Sequence, residues 1–367
     1  MPQSMPVTIN GPDGPLEAIL GEATSAQRVA CWELASVVFA PQIPASLFVE
    51  HLKTMFNHKL VRDNGERYWC ISRADDPMTV MAMCGTIRRA FLIRDNESMR
   101  EEEGFCIFAV ATHIQYRRLG LAKMIMKYVS EWLDGDARAP VSMLYTSVGD
   151  FYVSMGWEML SANASTIRAS TGSFGEPSQS GLPFSRFLSD DEMPELCERD
   201  VQDLKESFEK VSVGADEVHL AVIPNHDIIS YLHEWGDVAS AGIQGKTSPN
   251  HGAICEAADT WMTWHHRLDK LVITRVRTPP GNKPGDSESL ASLLLLAVDE
   301  ARNLGFSTIV VWEPSEGLLQ ALELVKNDST IVVETAARSN SITSVRWKGS
   351  NQARKTILHL NENYAAS

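Results

Sequence analysis

No two cysteines in this sequence stand at CxxC spacing, and no histidine accompanies one at the interval of a zinc ligand set. The six cysteines, at positions 31, 70, 84, 106, 197 and 255, therefore announce neither a disulfide framework nor a metal site. Reduced, mostly buried thiols are the expectation. Long apolar runs are missing too. The longest, Leu290 to Val298, is too short to cross a bilayer, and Met1 to Gly14 has no basic end followed by an apolar stretch. A soluble, cytoplasmic protein without a secretory signal is expected, and the terminal Ala365-Ala366-Ser367 is not a standard peroxisomal address. Positive charge is also short. Against 47 acidic residues stand 33 Lys and Arg, and the net −14 opposes binding to nucleic acid or an anionic membrane while suiting a cationic amine.

What is present is a chain of 367 residues, more than one hydrophobic core usually holds, and its 44% hydrophobic content rules out a disordered protein. Apolar residues recur at helical spacing from Ser25 to His51, broken near Pro41 and Pro44, which predicts two helices. Tyr68 to Ser72 and Met78 to Phe91 read as a hairpin about Ala74-Asp75-Asp76-Pro77, and the charged stretch Arg94 to Glu103 as a solvated loop. Gly104 to Thr112 is a near-continuous apolar strand, and Leu121 to Leu133 an amphipathic helix. Val141 to Thr146 supplies a strand, Gly149 to Met155 a short helix and Trp157 to Ala169 an extended return. Ser170 to Leu182 is crowded with Gly, Ser and Pro and reads as a linker. The expected division is a first domain over 1–170, a linker over 171–185 and a second domain over 186–367. The second half repeats the order of the first: strand Leu271 to Val276, turn, helix Ser287 to Leu304, strand Thr308 to Trp312, short helix.

The chemistry is concentrated where the first apolar strand meets its helix. A glycine-bearing turn that opens a helix presents several N–H groups and the positive end of the helix dipole, as a pyrophosphate requires. Arg117-Arg118-Leu119-Gly120-Leu121-Ala122 has that form. Gly120 allows close backbone approach, Ala122 lets the helix lie near the strand, and Arg117 with Arg118 adds cationic charge. The competing reading is an ordinary strand-to-helix turn with solvated arginines.

This stretch, from Phe108 through Leu133, resembles the acetyl-CoA signature of the GCN5-related N-acetyltransferase (GNAT) superfamily, with Arg117, Gly120 and Ala122 on the motif positions. Phe151-Tyr152-Val153-Ser154-Met155-Gly156-Trp157 is similar to a second motif of these enzymes, in the expected order. The resemblance implies an α/β fold with a mixed sheet and acetyl-CoA as acetyl donor. It places the main chain of Val110 and Thr112 on the pantetheine arm and the amides of Arg118, Leu119, Gly120, Leu121, Ala122 and Lys123 on the pyrophosphate. Direct transfer follows: a neutral amine attacks the thioester, an N–H near Val110 or Ala111 polarises its oxygen, and an acid protonates the departing thiolate. Tyr152 is the candidate acid; packing against Phe151 is the plainer role. A base must also deprotonate the amine. His113 and Glu103 flank the strand and could serve, although exposed residues there are commonly solvated. Cys106 would permit a thioester relay, but a buried core cysteine is the simpler reading.

In the second half the corresponding stretch, Arg277 to Asp286, carries three prolines that remove donors a phosphate cradle needs, which predicts a degenerate GNAT-like domain without its own CoA. Such a domain can cover the first one's site. Of its aromatic and basic residues, His233, Trp264 and Arg267 are the candidate substrate contacts, with Trp235, Trp261, His265 and His266 nearby; an aromatic core is the alternative. Tyr145 to Tyr152, Arg346-Trp347 and Asn361-Glu362-Asn363-Tyr364 look like elements of the fungal lysine N6-acetyltransferase family, which would imply free L-lysine as acceptor. Another small amine, a protein lysine, or a non-catalytic acyl-CoA-binding role are the alternatives, and the oligomeric state stays open.

Overall fold

Two mixed sheets flanked by helices make up the fold in the computed structural model, which describes residues 4–12, 14–169, 181–245, 248–281, 285–349 and 355–366. The chain opens with a hairpin of β1 (Met5–Gly11) and β2 (Gly14–Glu22). Helix α1 (Ser25–Phe39) starts at Thr24, whose hydroxyl accepts from the Gln27 N–H while the Gln27 side chain accepts from the Thr24 N–H. It ends ahead of Pro41, and α2 (Ala45–Met55) follows Pro44, the break the prolines predict. Strands β3 (Glu66–Arg73) and β4 (Val80–Arg94) form the expected hairpin, and β5 (Met99–Thr112) pairs antiparallel with β4. The charged stretch expected as a loop is thus largely strand. Glu101, Glu102 and Glu103 stand opposite Leu92, Phe91 and Ala90. Their charges all find partners, Glu101 on Lys205 at 2.6 Å, Glu102 on Arg100 at 3.3 Å and Glu103 on Arg88 at 3.4 Å.

Helix α3 (Leu121–Asp134) crosses over to β6 (Val141–Thr146), parallel to β5. Beyond the short strand β7 (Glu158–Met159), β8 (Asn163–Ala169) enters the second sheet. The linker expected at 171–185 lies outside the described residues up to position 180. After β9 (Arg186–Phe187), Ser189 and Glu192 make a reciprocal cap that leads into α4 (Met193–Glu209). Then come β10 (Glu217–Val222), α5 (His226–Gln244), β11 (Gly252–Cys255), β12 (Thr260–Arg267) and β13 (Lys270–Arg277). Helix α6 (Asp286–Leu304), β14 (Thr308–Trp312), α7 (Glu316–Val325), β15 (Ile331–Ala337), β16 (Ile342–Trp347) and β17 (Lys355–Leu358) complete the chain.

The first sheet runs β1-β2-β3-β4-β5-β6-β16-β7, with β10 paired to the far end of β4 and β17 beside β10; the second runs β15-β8-β14-β13-β12-β11-β9. Sheet membership therefore does not follow the expected boundaries at 170 and 186. Strand β8 leaves the first half to lie between β14 and β15, while β10, β16 and β17 return from the second half to the first sheet. Linear composition marks a linker but not an exchange of strands, because pairing is set by long-range register. The internal repetition is real at the level of fold. Strand β13, helix α6 and parallel strand β14 match β5, α3 and β6. Helix α6 is buried on nearly every side, from Leu290 to Val298 without interruption, because helix α7 covers the flank that the second sheet does not. Among the described residues no helix is long and apolar enough to cross a membrane.

Candidate active site

Strands β5 and β6 pair only over Phe105↔Ser142, Cys106↔Met143 and Ile107↔Leu144. Past Ile107, β5 stays with β4 and parts from β6, which keeps its pairing with β16 on its other edge through Tyr145 and Thr146. A bulge helps drive them apart. Between Met83↔Ala111 and Gly85↔Phe108 strand β5 carries one residue more than β4, and Ala109 takes a left-handed φ of 49°. The result is a V-shaped cleft whose one wall is the backbone of Phe108 to Thr112, unpaired on the β6 side among the described residues. An extended amide-bearing ligand can add to such an edge as another strand would.

The mouth of the cleft is the Arg117–Lys123 turn. The Arg117 Nε donates to Thr112 O at 3.4 Å, tying the turn back to the strand end. Arg118 and Gly120 both have positive φ, 68° and 77°, with Leu119 between them, an alternation that turns successive N–H groups to one side. Gly120 is the N-cap of α3 and no side chain caps that end. Its first amides thus lack side-chain partners where the helix dipole is positive. Contrast α6, whose first turn holds Asp286 and Glu288. Those carboxylates take up the dipole and repel phosphate, an argument against a CoA site there that is independent of the prolines; residues 282–284 of that stretch lie outside the described residues.

Tyr152 is buried beneath the cleft with Ile107, Leu121, Ile125 and Leu144, edge-on to Phe151 at 4.9 Å. Burial, and secondarily Cys84, raises its phenol far above the usual tyrosine range, so it stays protonated and able to donate. His113 sits at the end of β5, where its Nδ1 accepts from the Gln115 N–H. Glu103 is placed elsewhere. It lies nine residues from Thr112, about 30 Å along β5, in a surface groove of about 640 Å³ with Arg67, Arg88 and Arg138. It cannot serve as base at the cleft. Cys106 is fully buried, as are the other five cysteines.

The candidate substrate contacts separate. Trp264 is a correction: its ring is fully buried in the second sheet's core and its indole N–H donates to Asn250 O at 2.8 Å, so the aromatic-core reading holds for it. His233 is buried as well, stacked on His251 at 4.5 Å. Arg267 is exposed at the end of β12, but its neighbour Leu268 packs in one cluster with Ala109, Ala111 and Trp235. The β12–β13 turn therefore does reach the first domain's cleft.

Sequence reasoning passed over the other side of the sheet. There α5 faces β3, β4, β5 and β6, and His51 of α2 meets Trp235 at 4.9 Å. Glu66 is hemmed in by protein yet keeps part of its surface accessible, as do Arg28, Phe56, Phe108, Tyr145 and Trp235. The Tyr68 hydroxyl donates to Glu66 Oε1. Burial lifts the Glu66 carboxyl to about 7, against the lowering influence of Tyr68, Arg28 and Arg89. The signal was there in the alternation of β4: Arg89 occupies the apolar phase of Ile87, Phe91 and Ile93, where a charge has no solvent.

Buried histidines gather on the far side of α5. Asp237 Oδ1 takes His251 Nε2 at 2.9 Å and His266 Nδ1 at 3.3 Å, while Asp190 and Glu300 hold the opposite nitrogens. Burial would raise Asp237, but His251 and His266 hold it at about 2; burial would lower His266, but Asp237 and Glu300 raise it. Burial depresses His265 to about 3 and His51 to about 4, and holds His233 well below 6.5. A depressed histidine stabilises the fold above its unfolded value of 6.5 and loses that contribution as pH falls towards the folded value. His266 acts the other way, and three groups outweigh it. Thermal scans are expected to show the melting temperature falling steadily from pH 6.5 to 4, each neutral histidine contributing at most about 1.4 kcal/mol per pH unit. A flat profile over that range would contradict the burial argument.

An α/β fold in which a strand leaves its parallel neighbour beside an uncapped, glycine-led helix is the arrangement expected of an N-acetyltransferase, and comparison with known proteins gives that class. Residues 30–160 match the model of the acetyltransferase (GNAT) domain, and residues 173–367 that of the LYC1 GNAT-like C-terminal domain, more than half of the chain. The chain belongs to the GNAT acetyltransferases of this LYC1-like, two-domain type. No curated protein matches the sequence. Among solved structures, a probable N-acyltransferase from Enterococcus faecalis V583 aligns at TM-score 0.55 and 11% identity, over 90% of this chain and 72% of that one. A GCN5-related N-acetyltransferase from Kribbella flavida aligns at 0.51 and 13%, over 90% and 71%. The glucosamine N-acetyltransferase region of a fungal multi-domain β-N-acetylglucosaminidase aligns at 0.54 and 10%, over 91% and 38%. At these identities the likeness is one of fold.

Proposed function

We propose that the protein moves an acetyl group from acetyl-CoA to the primary amine of a small molecule by direct attack, with the N6 amine of free L-lysine as the acceptor. One observation carries the donor side: the cleft left by β5 and β6 opens onto the uncapped N-terminus of α3. The pantetheine arm adds to Val110 and Thr112 along the unpaired edge, and the amides of Arg118 to Lys123 receive the pyrophosphate. An N–H near Val110 or Ala111 polarises the thioester oxygen, the amine nitrogen gives up a proton to a base as it bonds to the carbonyl carbon, the C–S bond breaks, and Tyr152 gives a proton to the thiolate.

The covering of the acceptor side by α5 and by Leu268 favours a small amine over a protein lysine, since a peptide would need an open groove. The choice of lysine rests on the resemblance to the fungal lysine N6-acetyltransferases. CoA release is to be followed with L-lysine, spermidine and glucosamine. Saturable turnover with lysine, reduced about 10²-fold in Tyr152→Phe, is the expected result. Binding of acetyl-CoA without consumption of any amine would remove the transferase reading, and preference for glucosamine would replace the acceptor.

A further inference from the structure

We infer that Arg89 and Glu66 form the two working ends of the acceptor site, Arg89 binding the carboxylate of a free amino acid and Glu66 taking the proton from its attacking amine. The inference rests on the acetyltransferase reading and names residues and a charge pattern which that reading leaves open.

Arg89 is only 1% exposed. Its single hydrogen bond runs from Nη1 to Arg88 O at 3.2 Å, while Nε and Nη2 have no partner and no carboxylate lies within 4.0 Å among the described residues. Nε and Nη2 form the edge of a guanidinium that accepts a carboxylate side-on with two parallel bonds. An arginine enclosed with that edge unpartnered is costly unless an anion arrives. The hydroxyl of Tyr145 is likewise enclosed without a hydrogen-bond partner, close enough to Arg89 for the two to influence each other.

Strand register orders the site. Gly85 stands opposite Phe108, Ile87 opposite both Glu66 and Cys106, and Arg89 opposite Gly104. Glu66 therefore lies midway between Arg89 and the point where β5 leaves β6, the two being four residues, or about 13 Å, apart along the strand. A zwitterion with its carboxylate on Arg89 points its side-chain amine past Glu66 towards the thioester. Glu66 accepts one amine proton as the nitrogen bonds to the carbonyl carbon and the thiolate leaves with the proton of Tyr152. The groups facing Glu66 are Arg28 from α1, Tyr68 from β3, Arg89 from β4 and Tyr231 from α5, while Cys106 from β5 and Tyr145 from β6 lie on the Arg89 side. Arg28, its guanidinium 3.9 Å from the Phe56 ring, adds a second cation. Two guanidiniums and one carboxylate welcome an amino acid and oppose a diamine.

The test compares L-lysine with 1,5-diaminopentane, its decarboxylated counterpart, on the full-length protein. Lysine is expected to exceed the diamine in kcat/KM by about 100-fold. Arg89→Lys, which keeps the charge and loses the fork, is expected to raise KM for lysine by about 10- to 100-fold with KM for acetyl-CoA unchanged. Glu66→Gln is expected to lower kcat by about 100-fold and to abolish the limb of kcat/KM that rises through about pH 7. Wild-type turnover of the diamine equal to that of lysine, or an unchanged pH limb in Glu66→Gln, overturns the inference while leaving acetyl transfer intact. Failure of every amine to release CoA removes the transferase reading and this inference with it.

Discussion

Gly120→Val is expected to lower kcat/KM for acetyl-CoA by about 100-fold or more, the loss of two or so charge-assisted N–H bonds to phosphate, while costing the fold only about 1–2 kcal/mol. The two effects separate for a reason visible in the structure. A Cβ built at Gly120 meets nothing within 4 Å, so the protein itself does not object to the added side chain; the cost comes only from holding a residue with a Cβ at φ 77°. That empty volume is where the phosphate would approach the first amides of α3. A branched side chain there fills the ligand's space and pulls the turn towards negative φ, which breaks the Arg118–Gly120 alternation that gathers the N–H groups. Acetyl-CoA saturation curves and urea unfolding of the same preparation give both quantities. Gly285→Val makes the control, since that residue has the same left-handed geometry and open surroundings at the start of α6, a helix whose acidic first turn is unfit for phosphate. Equal kinetic damage from both substitutions would mean that Gly120 acts through the fold and not through the ligand.

How much of this was legible in the sequence depends on whether the chemistry is local. The Arg117–Ala122 turn could be read because strand, glycine and helix are contiguous and each contributes its donors by geometry alone. The repeated order of β13, α6 and β14 was legible for the same reason. Strand exchange was not. Nothing in Asn163 to Ala169 says that it pairs with Thr308 to Trp312, and nothing in Ile342 to Trp347 that it borders β6, because both registers are fixed by a face that must be buried against residues over a hundred positions away. Buried charge misled most. Glu101 to Glu103 read as loop because acidic residues are poor strand formers, yet cross-strand pairing and Lys205 hold them in β5. Glu66 and Arg89 drew no notice because a charge in a strand usually faces solvent. Trp264 was taken for a ligand contact when its indole has a backbone carbonyl to satisfy it and a core to fill.

Arg275→Met is expected to produce the largest loss of stability of any single polar substitution in the chain, about 3–5 kcal/mol. Arg275 of β13 donates to both oxygens of Asp200 from α4 at 2.8 and 2.7 Å and to Glu362 from the C-terminal segment at 2.6 Å. The second Glu362 oxygen accepts from the Val276 N–H at 2.9 Å, and two residues on the Tyr364 hydroxyl donates to Val222 O of β10 at 2.6 Å. One guanidinium thus joins the second sheet to the helix and tail that lie against the first. Asp200 is 2% exposed, so removing the arginine strands a carboxylate in low dielectric. The pair Arg346 and Asp134 supplies the contrast. It is as well formed, with bonds of 2.7 and 2.6 Å, but the Asp134 side chain is 41% exposed and water can take over; Arg346→Met should cost nearer 1 kcal/mol. If stranded charge is the cause, adding Asp200→Asn and Glu362→Gln to Arg275→Met should recover a substantial part of the loss, because neutral groups are far cheaper to bury than unpaired carboxylates. Chemical unfolding of the three variants decides it. A triple variant no more stable than Arg275→Met would assign the loss to packing of the guanidinium, and a single variant within 1 kcal/mol of wild type would show that the two halves are held together by their apolar cores alone.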